Sequence, residues 1–386
     1  MKNKLLRITT VPVSLKILLK GQHRFFSQYF EVVGVSSPGK ELNEVAESEG
    51  IRVVPVEMKR QVSLLNDLIS LMRMYLLIKK EKPYIIHTHT PKAGMLGMIA
   101  GWLTRVPVRL HTVAGLPLME STGLRRNVLN AVEKVTYACA TRVYPNSQGL
   151  KIIILQHQFC SPSKLRVIGN GSSNGIDTNW FSPGQVSLET KADLRKKLNI
   201  DNSDFVFVFV GRLVRDKGVN ELVRAFSSLN KIYPRVKLLL VGDAEKDLDP
   251  LYSETELCIR ENQAIITPGF QKDVRPYLAI ADALVFPSYR EGFPNVVMQA
   301  GAMCLPSIVT DINGCNEIII SGENGEIIPP KDAEALYNKM KEWIEQPEKA
   351  AAMAAKARAL VESRYEQKMV WEALLEEYRK IGMLNS

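Results

Sequence analysis

Short apolar runs of strand length alternate with longer amphipathic segments along almost the whole chain, and this alternation limits the fold more than any other feature. A strand–helix–strand order of this kind predicts right-handed crossovers and a parallel sheet with helices on both faces. Helical segments of the first half include 63–80, interpreted as a core helix, and 92–103. Its strand-like runs lie at 5–11, 30–35, 51–56, 85–88, 108–113 and 142–145.

The alternation stops in the middle of the chain and then begins again. Residues 169–187 are rich in Gly, Ser, Asn and Pro, which is typical of a loop or linker. The next run, Phe205–Val210, alternates Phe and Val and indicates a fully buried parallel strand. We therefore predict an α/β protein of two doubly wound, Rossmann-like domains, 1–185 and 186–366, that face one cleft. Further strand-like runs lie at 236–241, 264–267, 283–287, 307–309 and 325–328.

The positive charge of the chain is concentrated in its first half. Residues 1–183 hold 24 Lys and Arg against 11 Asp and Glu, whereas residues 184–386 hold 26 against 30. The net charge of +9 thus divides into +13 and −4. A basic half predicts an anionic partner, such as a membrane surface or a phosphorylated substrate, unless it is only a solvated face. Because no nucleic-acid-binding motif accompanies the charge, a nucleic acid is not expected as partner.

Cysteine and histidine usage gives no sign of a disulfide framework or a metal site. The five cysteines are odd in number and lack paired spacing, which fits a reducing cytosol. His87 and His89 share one face of a predicted strand, but no third ligand is evident. The acidic turn Asp247–Asp249 is interpreted as solvated.

No apolar run reaches the ~18 residues of a membrane span, and the N-terminal apolar stretch breaks too early for a signal peptide. We therefore expect a cytoplasmic protein without a resident cofactor.

A glycine-containing basic loop, Gly211–Gly218, follows the buried strand and precedes an amphipathic helix at 219–229. Such a loop between a strand and a helix binds phosphate, because free backbone N–H groups and the helix dipole face an anion. Arg212 and Lys217 add two positive charges. We predict that this loop holds a pyrophosphate. The alternative is that both cations are surface charges beside a tight turn.

A second loop, Pro287–Asn295, follows the strand-like run at 283–287 and opens a helix at 296–303. Pro294 suits the first helical turn. Glu291 places a carboxylate where a hydroxylated substrate would be bound. The alternative is a helix-capping loop with a solvated glutamate. The backbone amides expected to face a phosphate or a sugar hydroxyl belong to Gly292, Phe293 and Asn295.

With both loops present, the chain resembles the retaining glycosyltransferases of family 4, which have the GT-B fold. The resemblance covers nearly the whole chain and is strongest in VFVGRLVRDKGV, LLLVGD, the stretch from GFQKDV to CNEII, and NGEII. It continues in the first half through YIIHTHT, LHTVAGLP and KLRVIGNGSSNGIDTNWFSP. It implies a metal-independent hexosyl- or N-acetylhexosaminyltransferase with a nucleotide-sugar donor, UDP being favoured over GDP. The implied acceptor is a glycan or a polyprenyl-diphosphate-linked sugar in the assembly of capsule or other surface polysaccharide.

The resemblance also implies roles for individual residues. Arg212 and Lys217 match the pair that neutralises the donor diphosphate as it leaves. Glu291 matches the first carboxylate of the E-x7-E signature, which contacts the transferred sugar, and these three residues are the predicted catalytic ones. Gln299 replaces the second carboxylate; its amide oxygen still accepts a hydrogen bond from the ribose but lacks the charge that strengthens it. The other positions implied to hold the donor are Gly211, Gly242, Gly269, Phe270, Gly292, Phe293, Pro294 and Asn295.

The first half departs from the family pattern. The loop Thr10–Ser14 has no glycine, whereas many members carry a glycine-rich loop there. Ala114 stands where many members have a histidine that faces the donor sugar. His111 is interpreted as structural, because an offset of three residues turns it to the opposite face of a strand.

Two regions of the first half that combine apolar and basic residues are predicted to dock on the cytoplasmic leaflet of a membrane. They are 15–20, and 116–119 together with 123–126. Ordinary packing faces with lysine at the rim are the alternative. The resemblance further implies that the last helix, within 367–386, crosses back to the first domain.

Two other functions stay open on the sequence alone. A nucleotide-sugar epimerase of the same fold would convert its donor without an acceptor. A non-catalytic member would bind sugar or lipid within an assembly complex, and Gln299 and Ala114 are the features that keep this alternative open. A dinucleotide oxidoreductase is excluded, because residues 10–16 lack the Gly-x-Gly-x-x-Gly turn that it needs.

Overall fold

A computed structural model describes residues 2–59, 63–116, 122–245 and 249–384. Its strands are β1 Lys4–Ile8, β2 Glu31–Ser36, β3 Arg52–Pro55, β4 Ile85–Thr88, β5 Val108–Val113, β6 Arg142–Pro145, β7 Phe205–Val210, β8 Val236–Val241, β9 Ile265–Gly269, β10 Ala283–Phe286, β11 Ser307–Thr310 and β12 Gly325–Ile328. Its helices are α1 Pro12–Leu18, α2 Gln22–Ser27, α3 Lys40–Glu49, α4 Leu64–Glu81, α5 Pro91–Leu103, α6 Gly123–Cys139, α7 Gln148–Gln156, α8 Leu188–Lys197, α9 Val219–Asn230, α10 Ser253–Glu261, α11 Arg275–Ala279, α12 Asn295–Ala302, α13 Cys315–Ile318, α14 Ala333–Glu345, α15 Pro347–Tyr365 and α16 Gln367–Leu384.

The strands form two parallel six-stranded sheets with the same order. The first sheet runs β3-β2-β1-β4-β5-β6, and the second runs β12-β11-β10-β7-β8-β9. Read from its other edge, the second order repeats the first, which is that of a doubly wound fold. The predicted α/β class with two Rossmann-like sheets is confirmed.

The chain divides into two compact units, Met1–Gly175 with Lys368–Ser386 and Ile176–Gln367, here called the first and second domains. The division lies ten residues before the residue 185 that the sequence suggested. The cause is that Ile176 and Val186 are buried in the core of the second domain. The Ile176 amide also donates to the Tyr365 carbonyl at 2.8 Å.

The first sheet is covered on both faces, because successive residues of a strand point to opposite sides. In β1, Leu6 and Ile8 enter one hydrophobic core, together with residues of α4 and α5. Leu5 enters the other core, together with residues of α1 and α16. The last helix therefore belongs to the first domain, where its Val370, Leu374 and Tyr378 are buried.

The interpretation of 63–80 as a core helix is wrong for one of its faces. Ser70, Met74 and Ile78 of α4 are buried, as a core helix requires. Leu64 and Leu68, however, are exposed to 86 and 64%. The helix is apolar over a wider arc than its contact with the sheet and α5 can cover, so a second apolar face remains outside.

The segments predicted to dock on a membrane present only part of the expected apolar surface in the described residues. Leu15 and Leu19 are buried in the first domain, and Lys16 is paired with Glu44 at 2.5 Å. Leu116 is buried as well, whereas residues 117–119 lie outside the described residues. Of the segment 123–126, Leu124 is exposed. The prediction thus took Leu15, Leu19 and Leu116 for surface positions although they are core ones. Ile17 and Leu124 are exposed to 60 and 81%.

A cluster of buried basic groups lies between β1, β4 and α16. Arg7 in β1 is fully buried; its Nε donates to His89 Nε2 at 3.0 Å and its Nη2 donates to Gln22 Oε1 at 2.5 Å. His87 Nδ1 lies 2.5 Å from the Tyr378 hydroxyl. His87 and His89 are thus structural, and the described residues contain no group of three or more metal-ligating side chains.

We expect the first domain to lose stability as the pH falls below about 6.5. Burial, followed by the charge of Arg7, lowers the pKa of His23 to about 3. Burial lowers the pKa of His111 to about 4, and those of His87 and His89 also lie well below the usual value. Because these histidines stay neutral in the folded state while the unfolded chain binds protons below about pH 6.5, each lowers the free energy of unfolding by about 1.4 kcal/mol at pH 5.5.

Urea unfolding followed from pH 7.5 to 5.5 tests this expectation. His23→Gln should reduce the loss of unfolding free energy with falling pH, whereas His157→Gln, which changes a histidine outside the buried cluster, should leave the slope as it is. A wild-type stability that does not change over this range would contradict the account.

Candidate functional site

The two sequence motifs follow neighbouring strands at the point where the order of the second sheet reverses. The chain goes from β7 outward to β8 and β9, and β10 then returns to pair with the other side of β7. In open parallel sheets, ligands bind in the crevice at the carboxyl ends of the strands at such a reversal. The loops after β7 and β10, Gly211–Gly218 and Pro287–Pro294, both begin there.

Close backbone contacts join these two loops. The Tyr289 amide donates to the Asp216 carbonyl at 2.8 Å. Gly218, with φ of 70°, lies so near that a Cβ atom in its place would overlap the Pro287 carbonyl. Glycine is required here for two reasons, since this φ is left-handed and the neighbouring atom is backbone. The loops therefore form one unit.

Lys217 and Glu291, each from one loop, form an ion pair with Nζ and Oε1 2.5 Å apart. Their side chains are 15 and 17% exposed, so the pair is partly open to solvent. The buried Ser288 hydroxyl donates to the same Oε1 at 3.0 Å. The Glu291 carboxylate is therefore held through Oε1 from two sides, and no other described residue donates to its second oxygen.

Arg212 lies on the same loop and is paired separately. Its Nη1 donates to Glu245 Oε2 at 2.6 Å, and its side chain is half-exposed. Each of the two cations predicted to hold a pyrophosphate is thus held by a carboxylate. An arriving polyanion would compete with Glu245 for Arg212, and this exchange has a small cost because exposed ion pairs contribute little.

Glycines bring the ends of β7, β8 and β9 together. The Gly242 amide donates to the Gly269 carbonyl at 3.1 Å, and a Cβ atom on Gly242 would overlap the Gly211 carbonyl. The amide of Phe270 donates to Asp243 Oδ1 at 2.9 Å, and the Phe270 ring is exposed. Three of the predicted positions thus form one glycine-lined edge, with an exposed ring beside it.

The loop after β10 is packed tightly against the start of α13. A Cβ atom on Gly314 would lie 2.7 Å from the Gly292 carbonyl oxygen. Phe293 is buried with its ring 5.3 Å from that of Tyr365, so only its backbone is available to a ligand. α12 begins at Asn295 with Pro294 as its N-cap, one residue before the predicted start, and Pro294 thus precedes the first turn.

Gln299 lies in the second turn of α12 and is half-buried. Within the described residues its side-chain amide makes no hydrogen bond. The position that carries a carboxylate in the E-x7-E signature is therefore a neutral group that can accept a hydrogen bond.

Several residues of the site were missed by sequence reasoning. Thr310, at the end of β11, donates its hydroxyl to the Ser288 carbonyl and so supports the loop that carries Glu291. Buried Cys315 lies behind the same carboxylate; burial, together with Glu291, raises the pKa of its thiol well above the usual value. Ser288 could have been found, because it lies within the loop Pro287–Asn295. The roles of Thr310 and Cys315 could not, because they depend on which strands are neighbours in the sheet.

Two features singled out in the sequence have other roles in the structure. Asp249 accepts from Arg215 Nε at 2.9 Å and from the Asp216 amide at 2.7 Å, so it fixes the loop that carries Lys217. Asp247 lies outside the described residues. His111 is buried with Nδ1 2.8 Å from the Thr88 hydroxyl, whereas Ala114 is exposed.

Family models match most of the chain. Residues 190–360 match the model described as Glycosyl transferases group 1. Residues 27–171 match the model described as Glycosyl transferase 4-like domain.

Two bacterial relatives match over most of their length. The capsular polysaccharide biosynthesis glycosyltransferase CapM of Staphylococcus aureus is 36% identical over 98% of this chain and 97% of the relative. The Escherichia coli enzyme named UDP-Gal:alpha-D-GlcNAc-diphosphoundecaprenol alpha-1,3-galactosyltransferase is 31% identical over 88% of each chain.

Solved structures share the fold at low sequence identity. HepE of Anabaena in complex with UDP and glucose has a TM-score of 0.81 at 21% identity, over 98% of this chain and 100% of that one. Sucrose-phosphate synthase of Thermosynechococcus elongatus has a TM-score of 0.76 at 20% identity, over 99 and 100% of the two chains.

Proposed function

This chain belongs to the retaining, metal-independent glycosyltransferases of family 4 with the GT-B fold, and from that premise we propose its substrates and site. The proposed donor is a UDP-hexose or UDP-N-acetylhexosamine. The proposed acceptor is a sugar linked to polyprenyl diphosphate, and the product serves surface-polysaccharide assembly.

The observation that carries the donor proposal is the Lys217–Glu291 pair at the reversal of the second sheet. A nucleotide sugar needs a cation for its diphosphate next to an acceptor for its sugar hydroxyls, and the pair offers both. UDP is proposed as the nucleotide because the E. coli relative is named for UDP-Gal and the Anabaena structure holds UDP.

The proposed reaction develops negative charge on the diphosphate of the donor, and the site provides cations beside it. As the bond between the anomeric carbon and the phosphate oxygen breaks, Lys217 and Arg212 stabilise the negative charge of the departing diphosphate. Glu291, fixed by Ser288, accepts hydrogen bonds from the sugar hydroxyls. The acceptor oxygen attacks the anomeric carbon from the face that the phosphate leaves, and a phosphate oxygen takes its proton. Configuration at the anomeric carbon is thereby retained.

The acceptor proposal follows from the chemistry in the relatives' names. One is named for capsular polysaccharide and the other for a diphosphoundecaprenol substrate. A polyprenyl chain is held in a membrane, so we place the protein at the cytoplasmic face. The first domain supports this placement, because Met1–Gly175 with Lys368–Ser386 contains 27 Lys and Arg against 13 Asp and Glu, a net charge of +14.

Thermal unfolding with UDP, GDP and ADP, each with and without Mg²⁺, tests the donor site. UDP at 100 times its dissociation constant should add roughly 2.7 kcal/mol to the free energy of unfolding, with no need for Mg²⁺. Arg212→Ala should lose most of this gain, whereas Arg235→Ala, an exposed arginine elsewhere in the same domain, should keep it.

Gln299→Glu should increase the stabilisation by UDP, because a charged acceptor strengthens its hydrogen bonds. Stabilisation by GDP or ADP alone would overturn the choice of UDP, and no response to any nucleotide would favour a non-catalytic binding protein.

A further inference from the structure

The outer face of α4 carries six large apolar side chains that the domain does not cover. Each is exposed by 50 to 86% of its surface. At 100° per residue they fall within an arc of about 140° along a helix about 27 Å long. We call this set the α4 stripe; its members are Leu64, Leu65, Leu68, Ile69, Met72 and Leu76.

The stripe lies on a helix that is firmly fixed to its domain. Met74 and Ile78 on the inner face are buried in the core beside the sheet. Near the start of the helix, Asp67 Oδ2 pairs with Lys92 Nζ of α5 at 2.6 Å. Because the inner contacts are complete, the stripe is an outward surface of the folded domain.

The charges around the stripe are basic. At 100° per residue, Lys80 and Arg73 lie about 20 and 40° outside the arc, whereas Lys79 lies within it, beyond Leu76 at the C-terminal end of the helix. All three are exposed. Arg73 is paired with Glu57 at 3.3 Å, so the basic edge consists chiefly of the two lysines. The acidic residues of the helix, Asp67 and Glu81, point to other sides, where they pair with Lys92 and with Lys4.

A second exposed apolar group adjoins the C-terminal end of α4. Leu103, at the end of α5, lines one cavity together with Lys79 and Arg105. Trp102 beside it is 55% exposed. Tryptophan and basic residues next to an apolar face are typical of the boundary between lipid headgroups and acyl chains.

We propose that the α4 stripe is the surface by which this protein inserts into an anionic membrane. The stripe lies in the acyl region just below the headgroups, with Lys79 and Lys80 on anionic phosphates. No helix within the described residues, α4 included, is both long and apolar enough to cross a membrane. This inference rests on the proposed function, because it locates the surface that meets the membrane of the lipid-linked acceptor.

A second copy of the chain fits the stripe less well. The stripe covers about 18 Å by 10 Å, well below the ~800 Å² that each partner of a standard interface buries. Symmetric pairing would also bring together two domains of net charge +14. The same charge attracts an anionic bilayer.

Co-sedimentation with vesicles tests the proposal. The probe is phosphatidylcholine vesicles with 30% phosphatidylglycerol, compared with pure phosphatidylcholine. Leu65→Gln/Leu68→Gln/Met72→Gln should weaken binding to the anionic vesicles by at least about tenfold, because it removes apolar surface at constant charge. The matched control, Leu188→Gln/Ile232→Gln/Leu257→Gln, changes equally apolar exposed residues of the second domain and should bind as the wild type does. Lys79→Gln/Lys80→Gln should lose most of the preference for anionic vesicles.

The proposal would be overturned if the wild-type protein stayed in solution with anionic vesicles, or if the triple α4 variant bound them as well as the wild type does. It would also be overturned if sedimentation velocity showed a wild-type dimer and a monomeric α4 variant. Stabilisation by UDP, measured on the same samples, separates this inference from the proposed function. Protein that is stabilised by UDP but does not bind vesicles contradicts the proposed membrane surface and leaves the proposed donor site intact. Protein that binds vesicles but ignores every nucleotide contradicts the donor proposal alone.

Discussion

Replacing Lys217 with alanine is expected to lower kcat for sugar transfer by about 100- to 1000-fold while the fold stays intact. The Lys217 ammonium lies 2.5 Å from Glu291, and we place it beside the diphosphate that leaves. The charge on that group grows as the bond breaks, so the lost interaction acts on the transition state more than on the bound donor. The free energy of unfolding should fall by about 1–3 kcal/mol, because the pair is mostly buried and Glu291 would keep its charge with only the Ser288 hydroxyl beside it.

Initial rates at saturating donor measure the loss of kcat, and urea unfolding measures the loss of stability, so the two effects are separated. Lys231→Ala, an exposed lysine just after α9, is the matched control and should keep both rate and stability. A Lys217→Ala enzyme whose kcat stays within threefold of wild type would remove Lys217 from the diphosphate site.

Gly218→Ala should disrupt the site through the backbone and cost about 2–4 kcal/mol of unfolding free energy. Alanine at φ of 70° is strained, and its Cβ would overlap the Pro287 carbonyl. The loops that carry Lys217 and Glu291 must then separate. The variant should therefore also lose the stabilisation by UDP.

Gly322→Ala separates strain from overlap. Gly322 has φ of 78° with no atom within 4 Å of the added Cβ, so this change should cost only the about 1–2 kcal/mol of the left-handed backbone. It should leave UDP binding unchanged. Equal effects of the two substitutions would mean that the contact between the loops contributes nothing.

The order of strands and helices could be predicted from the sequence because a parallel sheet buries whole strands. Val108–Val113 and Phe205–Val210 have the bounds expected from their apolar runs. The first strand ends at Ile8 and not near Val11, since Pro12 begins α1 and its fixed φ suits a first helical turn. The spacing of apolar residues identified α4 as a helix but did not identify its exposed face. Apolar residues recur at helical spacing whether their side chains are buried in the domain or exposed to solvent.

The loops that carry Arg212, Lys217 and Glu291 could be located from the sequence, because each follows a recognisable strand. The contact between Lys217 and Glu291 could not, since 74 residues separate them along the chain. It requires that β10 pair with β7, and spacing gives no indication of that pairing. The supporting Thr310 was missed for the same reason.

Product analysis tests the central claim most directly. The protein would be incubated with UDP-hexoses and UDP-N-acetylhexosamines, with and without polyprenyl-diphosphate-linked N-acetylglucosamine. Mass spectrometry and NMR of the lipid fraction should show one added hexose or N-acetylhexosamine with the anomeric configuration of the donor. Conversion of the donor without acceptor, or an unmodified acceptor alongside UDP-stabilised protein, would contradict the assignment as a transferase to a lipid-linked sugar.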